Sequence, residues 1–200
     1  MTESSVNDKV DIASSIRGKL RRAAPSLATT CIYRVPDRIK RLHEKEFVPS
    51  LVSIGPFHHG KKNLQAMEGV KLWYLNNLLV RLEPETRLEH IVEKITSMEE
   101  YCRDCYDEKF HVSSEAFVEM MVIDGCFIVE FLRKEAREVA IEKEDLTSVM
   151  FKSTVRCELL LLENQMPWRL VDCLFELTNN QVPHGMSKSL WELCCRVMWT

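Results

Sequence analysis

The sequence predicts a mainly α-helical protein, with a single irregular multi-helix domain and with extended segments and loops near residues 30–62. Two observations favour helices. Apolar residues recur at three- and four-residue spacing through most of the chain after residue 63, and the strand–helix alternation of an α/β fold is missing from the pattern. A composition of 46% hydrophobic and 28% charged residues is typical of a globular domain and excludes collagen-like or disordered chains.

The first 29 residues are expected to form a polar tail followed by a basic amphipathic helix that ends at Pro25. The apolar positions of this helix follow four-residue spacing, at Ile12, Ile16 and Leu20. Residues 30–200 then form the helical domain. Its first segment, 31–35, is predicted to be extended, because a residue that precedes a proline, here Pro36, avoids the helical conformation.

Residues 49–60 are predicted to form a loop, because Gly55-Pro56 and Gly60 interrupt any regular element. Helices follow. The first is predicted from an apolar stripe and ends at Pro84; the stripe consists of Leu72, Leu75, Leu79 and Leu82. The next has the cleanest periodicity in the chain and is predicted to run unbroken through Leu88, Ile91, Ile95, Met98, Cys102 and Cys105.

Four more helical segments are predicted in the rest of the chain. Ser113 or Ser114 caps a helix that includes Phe117 and Phe131. Residues 146–162 form a helix with a wide apolar face at its end, at Leu159, Leu160, Leu161 and Leu162. Pro167 opens another helix that Pro183-His184-Gly185 terminates, and the last one runs from Leu190 to Met198.

The net charge of −3 argues against a general nucleic-acid binder, which is normally basic. Residues 1–62 carry 12 basic and 6 acidic side chains, whereas residues 63–200 carry a net charge of −9. The basic part suits an acidic partner, a membrane surface or the acidic part of the same fold, and the last is the favoured interpretation. The sequence shows neither a secretory signal nor an apolar stretch that could span a membrane, so we expect an intracellular protein, cytoplasmic or peripheral to a membrane.

The eight cysteines are interpreted as reduced, buried, small hydrophobic residues, because most of them have apolar neighbours. Cys102 and Cys105 have the spacing of metal ligands, but a structural zinc site needs four ligands and both residues lie on an apolar stripe. His58-His59 lacks a third ligand nearby. We therefore predict no metal, no cofactor and no catalytic residue.

The segment from Gly55 to Lys61 matches the phosphate-loop spacing G-x-x-x-x-G-K. Lys62 stands where a hydroxyl should reach the magnesium ion, and Pro56 lacks a backbone donor for phosphate. A rigid turn is the favoured interpretation, and a nucleotide-binding or hydrolytic enzyme that uses this loop is the alternative.

Glu163-Asn164-Gln165 places three polar side chains between an apolar run and Pro167. Buried without partners they would cost about 1–3 kcal/mol each. We expect them to form a polar clasp that binds free carbonyls at the end of one helix and free amides at the start of the next.

Several segments together resemble a plant-specific family, domain of unknown function 247, over about residues 30–198. The motifs that carry the resemblance are Ile32 to Pro36, Val52 to Gly60, Met67-Glu68, Arg103 to Tyr106, Phe117 to Met120, Asp124 to Ile128 and Leu160 to Pro167. The motif residues with an expected structural or recognition role are Tyr33, Arg34, Pro36, Gly55, Pro56, His58, His59, Asp124, Gly125, Cys126, Glu163, Asn164, Gln165 and Pro167. The chain has Cys157-Glu158 where the family usually has an Arg-Asp pair, and Trp168 where it usually has Phe. These differences argue against a local salt bridge but not against the family fold.

The resemblance implies a helical plant protein with no established enzymatic activity. Family members are typically longer and often end in a hydrophobic segment that suggests membrane attachment, and some grass members are linked to pollen self-incompatibility. We therefore expect a non-enzymatic interaction or recognition module with an unknown protein partner.

The chain is also expected to be an N-terminal portion of the family domain, incomplete at its C-terminus. Apolar residues lie on both faces of the last helix, so packing against one neighbour cannot cover them all; they include Leu190, Trp191, Leu193, Val197, Met198 and Trp199. We expect self-association or partner binding through this helix.

Overall fold

A computed structural model describes residues 12–18, 30–42, 44–82, 88–136, 149–179 and 189–198. Within these ranges the protein is mainly helical and contains no β-strand, as the sequence predicted. The helices are α1 (residues 12–18), α2 (Asp37–Lys40), α3 (Glu44–Phe47), α4 (Ala66–Arg81), α5 (Leu88–Thr96), α6 (Glu99–Asp104), α7 (Ser114–Glu135), α8 (Val149–Glu158), α9 (Trp168–Leu177) and α10 (Leu190–Met198).

Helix α7 is the centre of the fold, and α4, α5, α6, α9 and α10 pack around it. Because α7 is surrounded, it is apolar on nearly every face and buries most of its 22 residues. Its N-cap is Ser113, whose hydroxyl oxygen accepts a hydrogen bond from the backbone N–H of Ala116 at 3.2 Å, which confirms the predicted cap. On the side that faces α4, Phe127 meets the ring of Tyr74 edge-to-face at 5.1 Å.

Helix α4 is confirmed, but its predicted buried stripe is wrong at one position. Leu72 is half exposed, whereas Leu75 is buried. The face that packs on α7 is instead shared by Met67, Lys71, Tyr74, Leu75 and Leu78. The leucine spacing alone missed this face because one of its central residues is a lysine.

The predicted continuous helix from Leu88 to Cys105 is two helices, α5 and α6. The break follows two hydroxyl side chains, those of Thr96 and Ser97, which donate to backbone carbonyls of the preceding turn at 2.8 and 2.7 Å. The backbone N–H of Met98 then donates to the carbonyl of Ile95, three residues back, which tightens the turn. The apolar stripe nevertheless continues across the break, since Cys102 and Cys105 are buried like Ile95.

Helix α8 ends at Glu158, earlier than predicted, and the chain then turns at residues 159–160 and 162–163. The expected wide apolar face is also wrong, because Leu160 and Leu162 are exposed. Residues 146–148, the terminator Pro183-His184-Gly185, and the tail ahead of residue 12 lie outside the described residues, as does Pro25.

Residues 30–62 contain the extended segments and loops that the sequence predicted, together with the short helices α2 and α3, which it did not. Ile32 forms an isolated parallel bridge with Tyr106. The loop at 49–60 is irregular as expected, yet most of it is buried: Val52 to His58 are all nearly inaccessible to solvent. A loop inside a core needs partners for its backbone polar groups, and this requirement shapes the site described below.

Helices α9 and α10 are confirmed and pack on α7 and on each other. Helix α10 buries Leu190, Leu193 and Val197, while Trp191 on its other face is 68% exposed. Trp199 lies outside the described residues. In the described part of the chain, no helix has the length and apolar character needed to cross a bilayer.

The expectation that the cysteines are uniformly buried is wrong. All eight are free thiols. Three are buried, namely Cys102, Cys105 and Cys126. Cys31 and Cys157 are exposed, and Cys173, Cys194 and Cys195 are partly exposed. Apolar neighbours in sequence predicted burial only where the cysteine also falls on the inward face of a helix.

Candidate functional site

Several family-motif residues converge on the buried loop at residues 50–58. We call the polar side chains that hold this loop the polar hub; its members are Lys40, His58, Lys71, Asp124, Glu158, Glu163 and Asn164. They come from α2, the loop, α4, α7, α8 and the turn before α9, so the hub exists only in the folded chain.

Glu158, the last residue of α8, holds the beginning of the loop. Its two carboxylate oxygens accept hydrogen bonds from the backbone N–H groups of Ser50, Leu51 and Val52 at 2.6 to 3.1 Å. The Ser50 hydroxyl donates a further bond at 2.8 Å. The carboxylate therefore satisfies three amides that would otherwise be unpaired. The local sequence pattern did not predict this role of Glu158.

Asn164 holds the middle of the loop as a strand partner would. Its side-chain oxygen accepts from the backbone N–H of Ile54 at 2.8 Å, and its nitrogen donates to the carbonyl of Val52 at 3.0 Å. The same nitrogen donates to the carbonyl of Glu158 at 3.1 Å, at the end of α8. One buried amide thus links the loop to a helix terminus.

Asp124 on α7 holds the end of the loop and pairs with a buried lysine. It accepts from the backbone N–H of Gly55 at 2.9 Å and from the ammonium of Lys71 at 2.7 Å. Lys71 is fully buried and also donates to Glu68 at 2.8 Å. Burial raises the pKa of the Asp124 carboxyl, and the Lys71 charge opposes that rise. A lysine on an apolar helix face is the sequence signal that could have revealed this pair.

Glu163 joins the extended segment and α2 to the hub. One of its oxygens accepts from the backbone N–H of Val35 at 2.9 Å, and the other accepts from the Lys40 ammonium at 2.5 Å. Burial raises the pKa of Glu163, but the hydrogen bonds from Lys40 and Val35 outweigh it, so the pKa is lowered overall.

His58 lies between Glu163 and Lys61 and is almost completely buried. Its Nε2 is 3.2 Å from the Glu163 carboxylate, and its Nδ1 is 2.7 Å from the Lys61 ammonium. An ammonium can only donate, so Nδ1 accepts and the proton of the neutral ring is on Nε2, facing the carboxylate. Burial and, after it, the charge of Lys61 lower the pKa of His58 to about 4, against the opposing charge of Glu163.

Position 55 requires a glycine because of its backbone conformation and because there is no room for a side chain. Its φ is +68°, in the left-handed region, and a Cβ there would lie 2.7 Å from the carbonyl oxygen of Gln165 and 2.9 Å from the Tyr106 hydroxyl. Tyr106 donates to that same carbonyl at 3.1 Å. Gly60 has a φ of +76° but open space around it.

Gln165 fulfils half of the predicted clasp. Its amide nitrogen donates to the carbonyls of Leu159 and Leu161, just after α8. The other half of the prediction is wrong: the amides that Glu163 and Asn164 bind belong to Val35 and Ile54 rather than to the start of α9. The start of α9 has Pro167 at its N-cap and no side-chain cap.

The remaining motif residues differ in exposure and in the groups that they contact. Arg34 donates to Glu108 at 2.6 Å and lies over the Phe57 ring at 4.7 Å. Gly125 lets α9 approach α7, since a Cβ there would fall 2.3 Å from Leu174. The others are Pro56 and Cys126, both buried, and Tyr33, Pro36 and His59, all exposed.

The geometry weighs against a phosphate site at Gly55 to Lys61. A phosphate loop offers free backbone N–H groups to the anion. Here the N–H of Gly55 already donates to the Asp124 carboxylate, and a second anion beside it would be repelled. The Lys61 ammonium lies against His58. Among the residues that the structure describes, no three histidine, cysteine or acidic side chains are grouped as metal ligands.

An apolar groove lies next to the hub, between α7, the turn before α9, α9 and α10. It encloses about 430 Å³. The hub residue Asn164 and the neighbouring Gln165 are among its lining residues. Trp168 and Trp191 stand at its exposed side, with ring centroids 6.4 Å apart in an edge-to-face arrangement. We call this feature the Trp groove; its other lining residues are Ile54, Ile128, Leu132, Leu159, Leu160, Met166, Val171, Leu190, Cys194, Cys195 and Met198.

Comparison with known proteins agrees with the motif pattern. Residues 32–198 match the family DUF247, which is described as a plant protein of unknown function. UPF0481 protein At3g47200 of Arabidopsis thaliana is 31% identical over 147 residues, which cover 72% of this chain and 31% of the relative. Putative UPF0481 protein At3g02645 of the same plant is 28% identical over 159 residues, covering 79% of this chain and 29% of the relative. The matched part therefore spans about a third of each relative. No solved structure matches this chain.

Proposed function

The chain belongs to the DUF247 family of plant proteins of unknown function, and from that premise we propose that it is a non-enzymatic interaction module whose contact surface is the Trp groove. The observation that carries the proposal is the pair of exposed tryptophans beside an apolar cavity. Trp168 is 50% exposed and Trp191 is 68% exposed.

The composition of the Trp groove is that of an interface centre. Its lining residues include no charged side chain, and the centres of protein interfaces are depleted in charge and enriched in tryptophan and methionine. Tryptophan is also among the residues that contribute most to binding when they are desolvated by a partner. The polar hub offers no comparable surface, because its motif side chains are engaged in internal contacts.

The occupant that we propose for the Trp groove is a second copy of this chain. The surface carries both a cavity and protruding indole rings, and a two-fold contact brings each such patch against its own equivalent. The rings of one copy then enter the cavity of the other, and burial of these apolar surfaces stabilises the dimer.

Light scattering at several protein concentrations tests this proposal. We expect the mass to rise with concentration from 23.3 kDa toward twice that value, and we expect Trp191→Ser and Trp168→Ser to remain monomeric. Val80→Ser is the matched control, since Val80 is 76% exposed on α4 and is not part of the groove. A dimer that persists in both tryptophan variants would show that the dimer contact lies outside the Trp groove.

A strictly monomeric wild-type chain would contradict the second copy as occupant. The interaction module is then tested with a different chain, by capture from plant tissue on tagged wild-type protein and on the Trp191→Ser variant side by side. A protein retained by the wild type and by Val80→Ser, but lost from Trp191→Ser, would support the groove as the contact surface. Equal recovery on all three would contradict it.

The alternative enzyme centred on Gly55 to Lys61 has its own test. Because the Gly55 amide and the Lys61 ammonium already have partners in the hub, we expect a titration with ATP and magnesium to show no binding. Micromolar affinity that is lost in Lys61→Ala would overturn the non-enzymatic proposal.

A further inference from the structure

Two cysteines that are far apart in sequence lie side by side where the extended segment meets the end of α6. The backbone N–H groups of Cys31 and Ile32 both donate to the carbonyl of Cys105 at 2.9 Å. The N–H of Asp107 donates to the carbonyl of Ile32 at 3.1 Å, which completes the parallel bridge between Ile32 and Tyr106. Cys31 and Cys105 immediately precede the two bridged residues, and a backbone hydrogen bond joins them directly.

The backbone hydrogen bond from the Cys31 N–H to the Cys105 carbonyl keeps the two residues close. Backbones joined in this way lie about 4.7–4.9 Å apart, and a disulfide requires Cα atoms about 4.4–6.8 Å apart. The neighbouring Cys31 thiol also contributes, after burial, to the raised pKa of the Cys105 thiol.

The two thiols differ in their access to solvent. Cys31 is exposed, whereas Cys105 is completely buried. Burial raises the pKa of the Cys105 thiol to about 11. A dissolved oxidant thus meets Cys31 first, and Cys105 is placed behind it as the second thiol.

We propose that Cys31 and Cys105 are a reversible disulfide site, oxidised by small disulfides such as oxidised glutathione. The Cys31 thiolate attacks one sulfur of the glutathione disulfide, a mixed disulfide forms, and one glutathione leaves as a thiol. The Cys105 thiol loses its proton and attacks the Cys31 sulfur, and the second glutathione leaves. Two protein thiols are oxidised and one glutathione disulfide is reduced to two thiols.

The bond fastens the extended segment to α6. That segment carries the Val35 amide that binds Glu163 and the Arg34 amide that binds Asp107. A crosslink between positions 31 and 105 closes a long loop in the unfolded chain, so the oxidised protein is expected to melt about 5–10 °C higher than the reduced one.

Intact-mass measurement in a glutathione redox buffer tests the site on the 200-residue chain. We expect a loss of about 2 Da per chain, reversed by dithiothreitol, and a digest in which the peptide of Cys31 is linked to that of Cys105. The link should be absent from Cys31→Ser and unchanged in Cys157→Ser, which removes the other exposed thiol.

A kinetic measurement separates this pair from incidental oxidation. Closure of the mixed disulfide needs the Cys105 thiolate, so its rate should rise roughly tenfold per pH unit between pH 7 and 9. Retention of glutathione on Cys31 without closure, or a crosslink between any other pair such as Cys102 and Cys105, would overturn the proposal. A chain that keeps all its thiols in an oxidising buffer would also overturn it.

Discussion

The polar hub and the Trp groove share Asn164 and differ in almost every other respect. The hub consists of buried charges and amides whose partners lie on other segments, as in the contact between Glu163 and Val35. The groove consists of apolar side chains, two of which are large, aromatic and exposed. In this fold the dense motifs organise a loop, and the contact surface that we propose lies beside them.

The difference has a physical reason. A buried irregular loop leaves backbone N–H and C=O groups that helices cannot satisfy, so specific side chains must be supplied at fixed places. An apolar contact surface is non-directional and tolerates many residues of similar size. Sequence motifs are therefore a better guide to the hub than to the groove, and the variants below test that separation.

The largest effect is expected at the buried ion pair. Asp124→Ala leaves the Lys71 ammonium buried with Glu68 as its remaining acid partner, and should lower the free energy of unfolding by about 3–5 kcal/mol in urea titrations. Glu68→Ala is the matched control; Glu68 is part-exposed at the same lysine, and its loss should cost at most about 1 kcal/mol. Equal losses in the two variants would show that burial of the pair is not what matters.

The next effect is a pH dependence at His58. Its folded pKa of about 4 lies below the ordinary 6.5, so the unfolded chain binds the proton more readily. The stabilising contribution is complete above pH 6.5 and is lost as the pH falls toward 4, by at most about 3 kcal/mol. We expect the free energy of unfolding of His58→Gln to depend less on pH across that window than that of the wild type. Urea titration at each pH measures it.

His59→Gln is the control for that measurement, because the adjacent His59 is exposed. It should follow the wild-type curve. If His58→Gln also follows that curve, the ring does not couple folding to protonation and the assigned geometry between Glu163 and Lys61 is wrong.

A smaller effect is expected at the glycines of the loop. Gly55→Ala has to adopt a positive φ and also places a Cβ 2.7 Å from the Gln165 carbonyl oxygen. Gly60→Ala has only the cost of a positive φ, about 1–2 kcal/mol. It has no steric clash, because nothing lies within 4 Å of its Cβ position. The thermal denaturation difference between the two variants should correspond to about 2 kcal/mol. Similar melting temperatures would mean that the close approach is absent.

The smallest effect on folding is expected in the Trp groove. Trp191→Ser removes a mostly exposed ring, so the free energy of unfolding of the monomer should change by about 0.5 kcal/mol or less. Measured by urea titration at a concentration too low for association, a loss comparable to that of Asp124→Ala would erase the distinction between the two regions.

The sequence by itself determined the helical class and the main segments. The signals for these segments are three-to-four-residue periodicity, the serine cap of α7 and the prolines near helix ends. They depend on interactions within a few residues, so they are visible in the sequence itself. The family motifs also identified four of the seven hub residues, namely His58, Asp124, Glu163 and Asn164, although not what each one binds.

Only the tertiary structure decided which groups meet. Glu158 binds amides more than 100 positions away, Lys71 pairs with Asp124 across two helices, and Cys31 adjoins Cys105. The exposure of Leu72 and Leu160 was likewise set by packing. Such contacts arise because helices and a buried loop close around α7, and their partners are chosen by spatial proximity and by the need to pair buried polar groups, neither of which is encoded in local spacing.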